Sequence, residues 1–388
     1  MRRRSVITEY KKRDTLGIIG LGYVGLPLAL SFSKKMAVVA FDKKKSRVEK
    51  LKKGNDVNNE VSKKDLKINN NLFFTDEEKN LSKCNIFIIT VPTPIKLNNL
   101  PNLNLLKEAC ETVGRYVKKN SIVVIESTTY PGCTEEFCVP IVEKVSKLKF
   151  NKDFYFGYSP ERINPGDKKS KLEKIVKLTS GSNNIAANKV DNLYKKIITA
   201  GTFKVSSIKV AEAAKIIENV QRFVNISLIN ELALIFDRLN LSTQEVLNAA
   251  GTKWNFIKFK PGLIGGHCIA VDPYYLSYKA NKINRKSEII NTGLRLHEKL
   301  FKYICHKLIT NLKALKSKSK KKILILGLTF KENCYDYRNS QSVNLVKYLK
   351  KKNFIVDAFD PFINSKNIKR DYKISLIRNE PKKNFYDG

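Results

Sequence analysis

Cys268 sits in the run 259–276, FKPGLIGGHCIAVDPYYL, with Gly265 and Gly266 just before it and Asp272 four residues after it. Paired glycines let the backbone adopt positive φ and come close to a ligand, so the turn that follows can present the thiol outward. A carboxylate at that spacing is near enough to help form the thiolate or to activate a water. These residues describe a seat for a cysteine nucleophile. On this run alone, burial as a small hydrophobe is the commoner role of an unpaired cysteine.

Other segments must supply the rest of such a site. The segment 207–239 has helical Ala and Ile spacing, with polar groups at Glu212, Lys215, Asn219, Arg222 and Asn230. Lys215 and Asn219 are i and i+4, so they share one face. Beside a thiol they would stabilise an oxyanion; an exposed lysine next to a surface asparagine is the alternative. At roughly 33 residues, against a mean of about 11–12 in globular proteins, this helix is expected to join domains and to build a dimer interface. The segment 155–166, YFGYSPERINPG, is expected to be a strand ending in a turn that exposes Glu161 and Arg162, a carboxylate and a guanidinium suited to substrate work.

Upstream, 16–30 reads LGIIGLGYVGLPLAL: a short strand, then Gly20, Leu21, Gly22, Tyr23, Val24 and Gly25, then a helix start. In this pattern Gly20 makes the tight turn, Gly22 admits a pyrophosphate, Gly25 packs helix on strand, and the helix N-terminus faces the phosphates. A second strand, AVVAFD, ends in Asp42, 22 residues after Gly20, where an acid binds ribose hydroxyls and selects NAD over NADP. Arg47 is a candidate for the ribose or pyrophosphate, a solvated surface arginine being the commoner outcome. Strands within 84–94 and 121–132, separated by a helical pattern over 104–118, predict a parallel doubly wound sheet. Ligands lie at the carboxyl ends of such strands, where Thr93 and the Glu126, Ser127, Thr128 run fall. Thr128 is a candidate for the nicotinamide edge, with turn capping an equal alternative.

Downstream, KILILGLTF (322–330) is a strand into a turn, followed by KENCYDYRNS, a helix, and a strand ending in Asp360. The plan of the first domain is repeated. The turn lacks the three-glycine pattern, so no second dinucleotide is expected; Lys331 and Arg338 flank it and would clamp a diphosphate. The fold class is therefore α/β, two Rossmann-like doubly wound parallel sheets joined by a long central helix. The expected division is a basic extension over 1–14, an NAD-binding domain over 15–200, a central helical domain with the cysteine loop over 201–300, and a second Rossmann-like, diphosphate-clamping domain over 301–388 whose sheet is short of strands.

The chain has 388 residues and a net charge of +37. Such charge raises nucleic acid or an anionic membrane as partner, but the lysines are scattered and no basic stripe is interleaved with aromatics. No nucleic-acid partner and no membrane span are expected. Seven cysteines without a CxxC pair imply a reducing, cytoplasmic setting, and no metal.

Taken together the motifs GLGYVGLPLA, VPTP, ESTTYPG, YSPERINPG, KIIENVQRFVNISLINELA, GTKWNF, PGLIGGHCIAVDPYYL and GLTFKENCYDYRNS resemble the UDP-glucose/GDP-mannose dehydrogenase family, most closely its branch oxidising UDP-N-acetylhexosamines. The resemblance implies a four-electron oxidation at C6 of the sugar with two NAD consumed per uronate, in polysaccharide precursor synthesis. It implies Cys268 as the nucleophile, Lys215 and Asn219 as oxyanion stabilisers, Asp272 and Thr128 handling the proton-transfer water, and Glu161 assisting thioester hydrolysis. Arg162, Asn164, Arg222, Lys260, Gly265, Lys331 and Arg338 are then the candidates for holding the UDP-sugar, and Pro165 stands where UDP-glucose enzymes carry a second acid. Family members usually continue beyond FYDG into a further strand, which raises a truncated, inactive homologue with an unpaired sheet edge as the alternative. A homodimer or higher homo-oligomer is expected.

Overall fold

The computed structural model describes residues 14–388 except 59, 68–69, 163–171, 315–320, 333, 378 and 382–384. The extension up to residue 13, and Asn164 with Pro165, lie outside the described residues. The chain forms two compact units, Met1–Ile216 and Ile217–Gly388.

The first unit is built on eight strands: β1 (Thr15–Ile19), β2 (Ala37–Phe41), β3 (Leu72–Thr75), β4 (Ile86–Ile89), β5 (Ile122–Ile125), β6 (Tyr155–Tyr158), β7 (Lys177–Gly181) and β8 (Thr202–Lys204). Their order is β3-β2-β1-β4-β5-β6-β7-β8. The first six follow the dinucleotide-binding order 3-2-1-4-5-6 and pair in parallel. β1 and β5 are buried along their whole length, which is why they read as continuous apolar runs rather than as alternation. The sequence pattern did not announce β3, β7 or β8, and β7 joins β6 antiparallel, a departure from the all-parallel expectation. The cause is legible in the residues: KLTSG and TFK are too short and too polar to stand out from loop.

The long helix runs Ile208–Arg238, 31 residues. The boundary between the two units falls inside it. Its Glu212 is buried and accepts from the Thr129 and Thr134 hydroxyls (3.1 and 2.6 Å), from Thr134 N (2.8 Å) and from Gly132 N. The turn after β5 is thus fixed to the start of this helix.

In the second unit β9 (Lys322–Leu326) and β10 (Ile355–Phe359) pair in parallel around the helix Gln341–Lys351. Leu328, Val343, Val346, Leu349 and Ile368 form its core. The edges of this two-stranded sheet are not bare as expected: Leu324 N donates to the Gly388 carbonyl (2.8 Å), Asp387 N to the Lys322 carbonyl (2.8 Å), and Ile377 N to the Ala358 carbonyl (3.0 Å). Among the described residues no helix is long and apolar enough to cross a membrane.

Candidate functional site

The glycine turn after β1 behaves as its sequence requires. Gly20 has φ +97°, a conformation that a side chain would strain. A Cβ on Gly25 would lie 1.9 Å from the Gly20 carbonyl oxygen, so only glycine lets the helix Gly25–Ser33 pack there. Asp42, at the end of β2, accepts from Leu21 N and Lys44 N (both 2.9 Å) and stays half-buried. A cavity of about 470 Å³ opens on this turn, lined by Gly20, Gly22, Asp42, Arg47 and Thr90 among others. Tyr23, Val24, Gly25 and Thr93 are not in its wall.

Arg47 is not the solvated arginine that sequence favours. It is 8 % exposed, donates Nε to the Leu21 carbonyl (2.9 Å) and Nη1 to Asp56 (2.7 Å), and so braces the glycine turn from behind. Its Nη2 is buried without a hydrogen-bond partner among the described residues. An uncommitted donor, an acid at the end of β2 and a glycine cradle fit the ribose and phosphates of a dinucleotide. Thr93, beyond β4, donates to the Thr128 carbonyl (2.6 Å), tying two strand ends together; Thr128 is itself half-buried.

Glu161 follows β6 but is not exposed as expected. Its side chain is 11 % exposed, and Lys177 Nζ lies 3.6 Å from it. The same ammonium is 3.1 Å from Glu126, which is 0 % exposed at its side chain and also accepts from the Tyr194 hydroxyl. Burial pushes the Glu126 carboxyl up to about 7 against the pull of Lys177. Sequence reading missed Glu126 and Lys177 as a pair because 51 residues separate them; an acid in an apolar strand end was the available signal. Arg162 turns to the Val176 carbonyl (3.1 Å).

In the second unit the Cys268 carbonyl accepts from Val271 N (3.0 Å) and Asp272 N (2.9 Å), which places the cysteine at the entrance of the helix Asp272–Lys282. A helix start favours negative charge near it. Six cysteines are buried and Cys268 is half-exposed. Asp272 is 1 % exposed and accepts from Asn219 Nδ2 at 2.6 Å. Lys215, one turn before Asn219, is buried as well, so neither residue is a surface group.

The glycines before Cys268 also serve loop packing. Gly266 has φ +87° and its missing Cβ would sit 2.7 Å from the Phe330 ring, while Gly265, whose φ is not positive, faces the Asn339 carbonyl at 3.0 Å. Both absences let the cysteine loop press on the loop after β9. There, Arg338 forks onto Asp336 through Nε (2.9 Å) and Nη2 (2.6 Å). His267 Nε2 lies 3.0 Å from the same Asp336 Oδ2. Burial works to raise the Asp336 carboxyl, but the hydrogen bonds and charges of His267 and Arg338 hold it well below the carboxylate range. Lys331 lies on the same loop, half-buried, with its Nζ 5.8 Å from the Phe330 ring centre. Arg222 and Lys260 are exposed.

The chain has relatives among known proteins along most of its length. Three family profiles match it in order: the NAD binding domain of the UDP-glucose/GDP-mannose dehydrogenase family over residues 14–198, its central domain over 209–298 and its UDP binding domain over 324–386. A UDP-N-acetyl-D-glucosamine 6-dehydrogenase of Salmonella typhi is 52 % identical over 377 residues, covering 96 % of this chain and 88 % of the relative. One of the same name from Pseudomonas aeruginosa is 51 % identical over 374 residues, with 96 % and 88 % covered. The solved structure of UDP-D-ManNAc dehydrogenase from Pyrococcus horikoshii superposes with a TM-score of 0.83 at 30 % identity, over 90 % of this chain and 84 % of that one.

Proposed function

Because the chain belongs to the UDP-glucose/GDP-mannose dehydrogenase family, we propose that it oxidises the C6 hydroxymethyl of a UDP-N-acetylhexosamine to the carboxylate. The substrate class rests on the relatives named for UDP-N-acetyl-D-glucosamine, which are about half identical to it along nearly the whole chain. The observation that carries the chemistry is Cys268, the half-exposed cysteine, set at the entrance of the helix that begins at Asp272, whose carboxylate Asn219 grips.

NAD, when bound, accepts a hydride in each of the two oxidations. Gly20, Gly22, Asp42 and Arg47 would hold it, since they line the cavity at the glycine turn. At the aldehyde stage the Cys268 sulfur bonds to C6 while the C6 oxygen takes up a proton, giving a thiohemiacetal; loss of a hydride from C6 and of the hydroxyl proton to a base leaves a thioester. Water oxygen then bonds to C6, the C–S bond breaks, a carboxylate and a free thiol result, and one water proton passes to a base. Lys215 and Asn219 are assigned to the oxyanions of these steps, Asp272 and Thr128 to the proton-transfer water, Glu161 to the hydrolysis. Lys331 and Arg338 are assigned to the UDP moiety, and Arg338's planar fork suits a diphosphate.

A homodimer is part of this proposal, supported by the apolar side chains that the long helix leaves exposed, Leu228 (52 %) and Ile235 (47 %), and by Trp254 (92 %). A cytoplasmic setting is supported by seven cysteines that are all free. The test is turnover of purified protein with NAD and each UDP-N-acetylhexosamine. Two NADH per sugar are expected from at least one of them; none from any would overturn the reading. Full four-electron turnover by Cys268→Ser would remove the thioester from it.

A further inference from the structure

Asp336 touches both a candidate nucleotide-holding residue, Arg338, and the neighbour of the candidate nucleophile, His267. Arg338 approaches it through two nitrogens, Nε at 2.9 Å and Nη2 at 2.6 Å, and His267 Nε2 stands 3.0 Å from the oxygen that takes Nη2. The side chain of Asp336 is 6 % exposed, while Arg338 (48 %) and His267 (38 %) reach it from the solvent side.

The two loops are joined along their length as well. Gly266 N donates to the Asn339 carbonyl (3.4 Å) and Asn339 Nδ2 to the Gly266 carbonyl (3.3 Å), while Gln341 Nε2 donates to the Ile264 carbonyl (3.2 Å). Phe330 fills the space over Gly266 and meets the His267 ring edge-on at 6.1 Å. A loop with this many fixed points moves as one body with its partner.

We propose that Asp336 is a positioning residue that sets the Cys268 loop and the Arg338 fork in one frame, so that a UDP moiety held by Arg338 finds the thiol already in register. This rests on the oxidation proposed above. Asp336 orients the Arg338 fork, and the same carboxylate anchors the His267 ring next to Cys268, adding to the backbone ties of the cysteine loop. A displacement near 1 Å at a reacting group lowers rates by up to about 100-fold, which is the scale at which such an anchor matters.

The test separates the loops. His267→Ala, a side chain 38 % exposed, is expected to lower kcat about 10-fold and leave the Kd for UDP within about 2-fold. His267→Gln, which can still donate to Asp336, is expected to recover most of that loss. Asp336→Asn is expected to raise the Kd for UDP and lower kcat together, and the double variant His267→Ala/Asp336→Asn to be no slower than Asp336→Asn alone. An arm without turnover uses iodoacetamide and mass spectrometry of the Cys268 peptide: His267→Ala and Asp336→Asn are expected to speed alkylation of the half-buried thiol at least about 5-fold, and His267→Gln to leave it near wild type. Unchanged alkylation in both anchor-breaking variants overturns the proposal, as does a double variant whose kcat loss is the product of the single losses. Wild-type protein that yields no NADH from any UDP-sugar, yet shows the expected alkylation pattern, overturns the oxidation and leaves the positioning role standing.

Discussion

Glu126 in the first unit faces one ammonium, which it shares with Glu161, while Asp336 in the second is held by a guanidinium fork and an imidazole. Both carboxylates are buried. Burial lifts Glu126 to about 7, whereas the donors around Asp336 outweigh burial and keep it well below the usual range. The charge around each acid decides: in the first cluster two carboxylates divide one cation and the Tyr194 hydroxyl adds only a neutral donor, whereas in the second a guanidinium and an imidazole converge on a single carboxylate. A fully buried acid that shares its cation is poised to take up a proton near neutrality, and one with a guanidinium to itself stays a fixed anion.

Removing the shared cation should break the comparison most severely. Lys177 is 3 % exposed at its side chain, so Lys177→Met leaves Glu126 and Glu161 facing each other without it, and about 3–5 kcal/mol of stability should go. Urea unfolding followed by circular dichroism measures this. A loss below about 1 kcal/mol would mean that water reaches the cluster and that the two regions differ less than their burial suggests.

The pH dependence should separate the clusters by sign. Glu126 is raised from an ordinary 4.5 to about 7, so its contribution is fully present below 4.5 and is lost as pH rises through about 7, a change on the order of 3 kcal/mol. Glu126→Gln does not titrate, so the stability of wild type minus that of the variant should fall across that window. Asp336 is lowered, so its contribution is present above about 3.8 and is lost as pH falls below it. Wild type minus Asp336→Asn should therefore fall towards acid. Parallel slopes in two unfolding series taken from about pH 2 to 8, which spans both windows, would refute the assignment of opposite shifts.

What the sequence made legible follows the distance over which each signal acts. The glycine turn, Asp42, the cysteine loop and the long helix each declare themselves within a few dozen residues, and the helix was expected over 207–239 and stands at Ile208–Arg238. Arg47 did not declare itself, because its partner Asp56 and the Leu21 carbonyl come together only when helix and turn pack. Glu126 with Lys177 needs β5 and β7 in one sheet, and β7 is too short to be read from its residues. His267 was in plain view beside Cys268, yet its partner lies 69 residues on, in a motif that read as a phosphate clamp. The glycine pair suggests close approach of a ligand, and its packing under the Phe330 ring is visible only once the loop after β9 is in place.

The finest comparison lies in the repeated plan, where each unit ends a strand in an aspartate that reaches back to the turn after the strand beside it. Asp360 accepts from Leu328 N (2.7 Å), Thr329 N (3.2 Å) and Phe362 N (2.9 Å) and is 6 % exposed. Asp42 accepts from Leu21 N and Lys44 N, and remains half-buried in the wall of the cavity. The first is committed wholly to its turn; the second has oxygen lone pairs left for ribose hydroxyls. Asp360→Asn turns an amide N–H against backbone donors and should cost about 1–3 kcal/mol. Asp42→Asn, with water at hand, should cost under about 1 kcal/mol. NAD affinity should reverse that order, Asp42→Asn weakening it about 10-fold, near the 1.4 kcal/mol of a lost charged hydrogen bond, and Asp360→Asn leaving it within about 2-fold. Calorimetric NAD titration beside urea unfolding reads both, and equal losses of affinity in the two variants would mean that Asp42 acts on the turn alone.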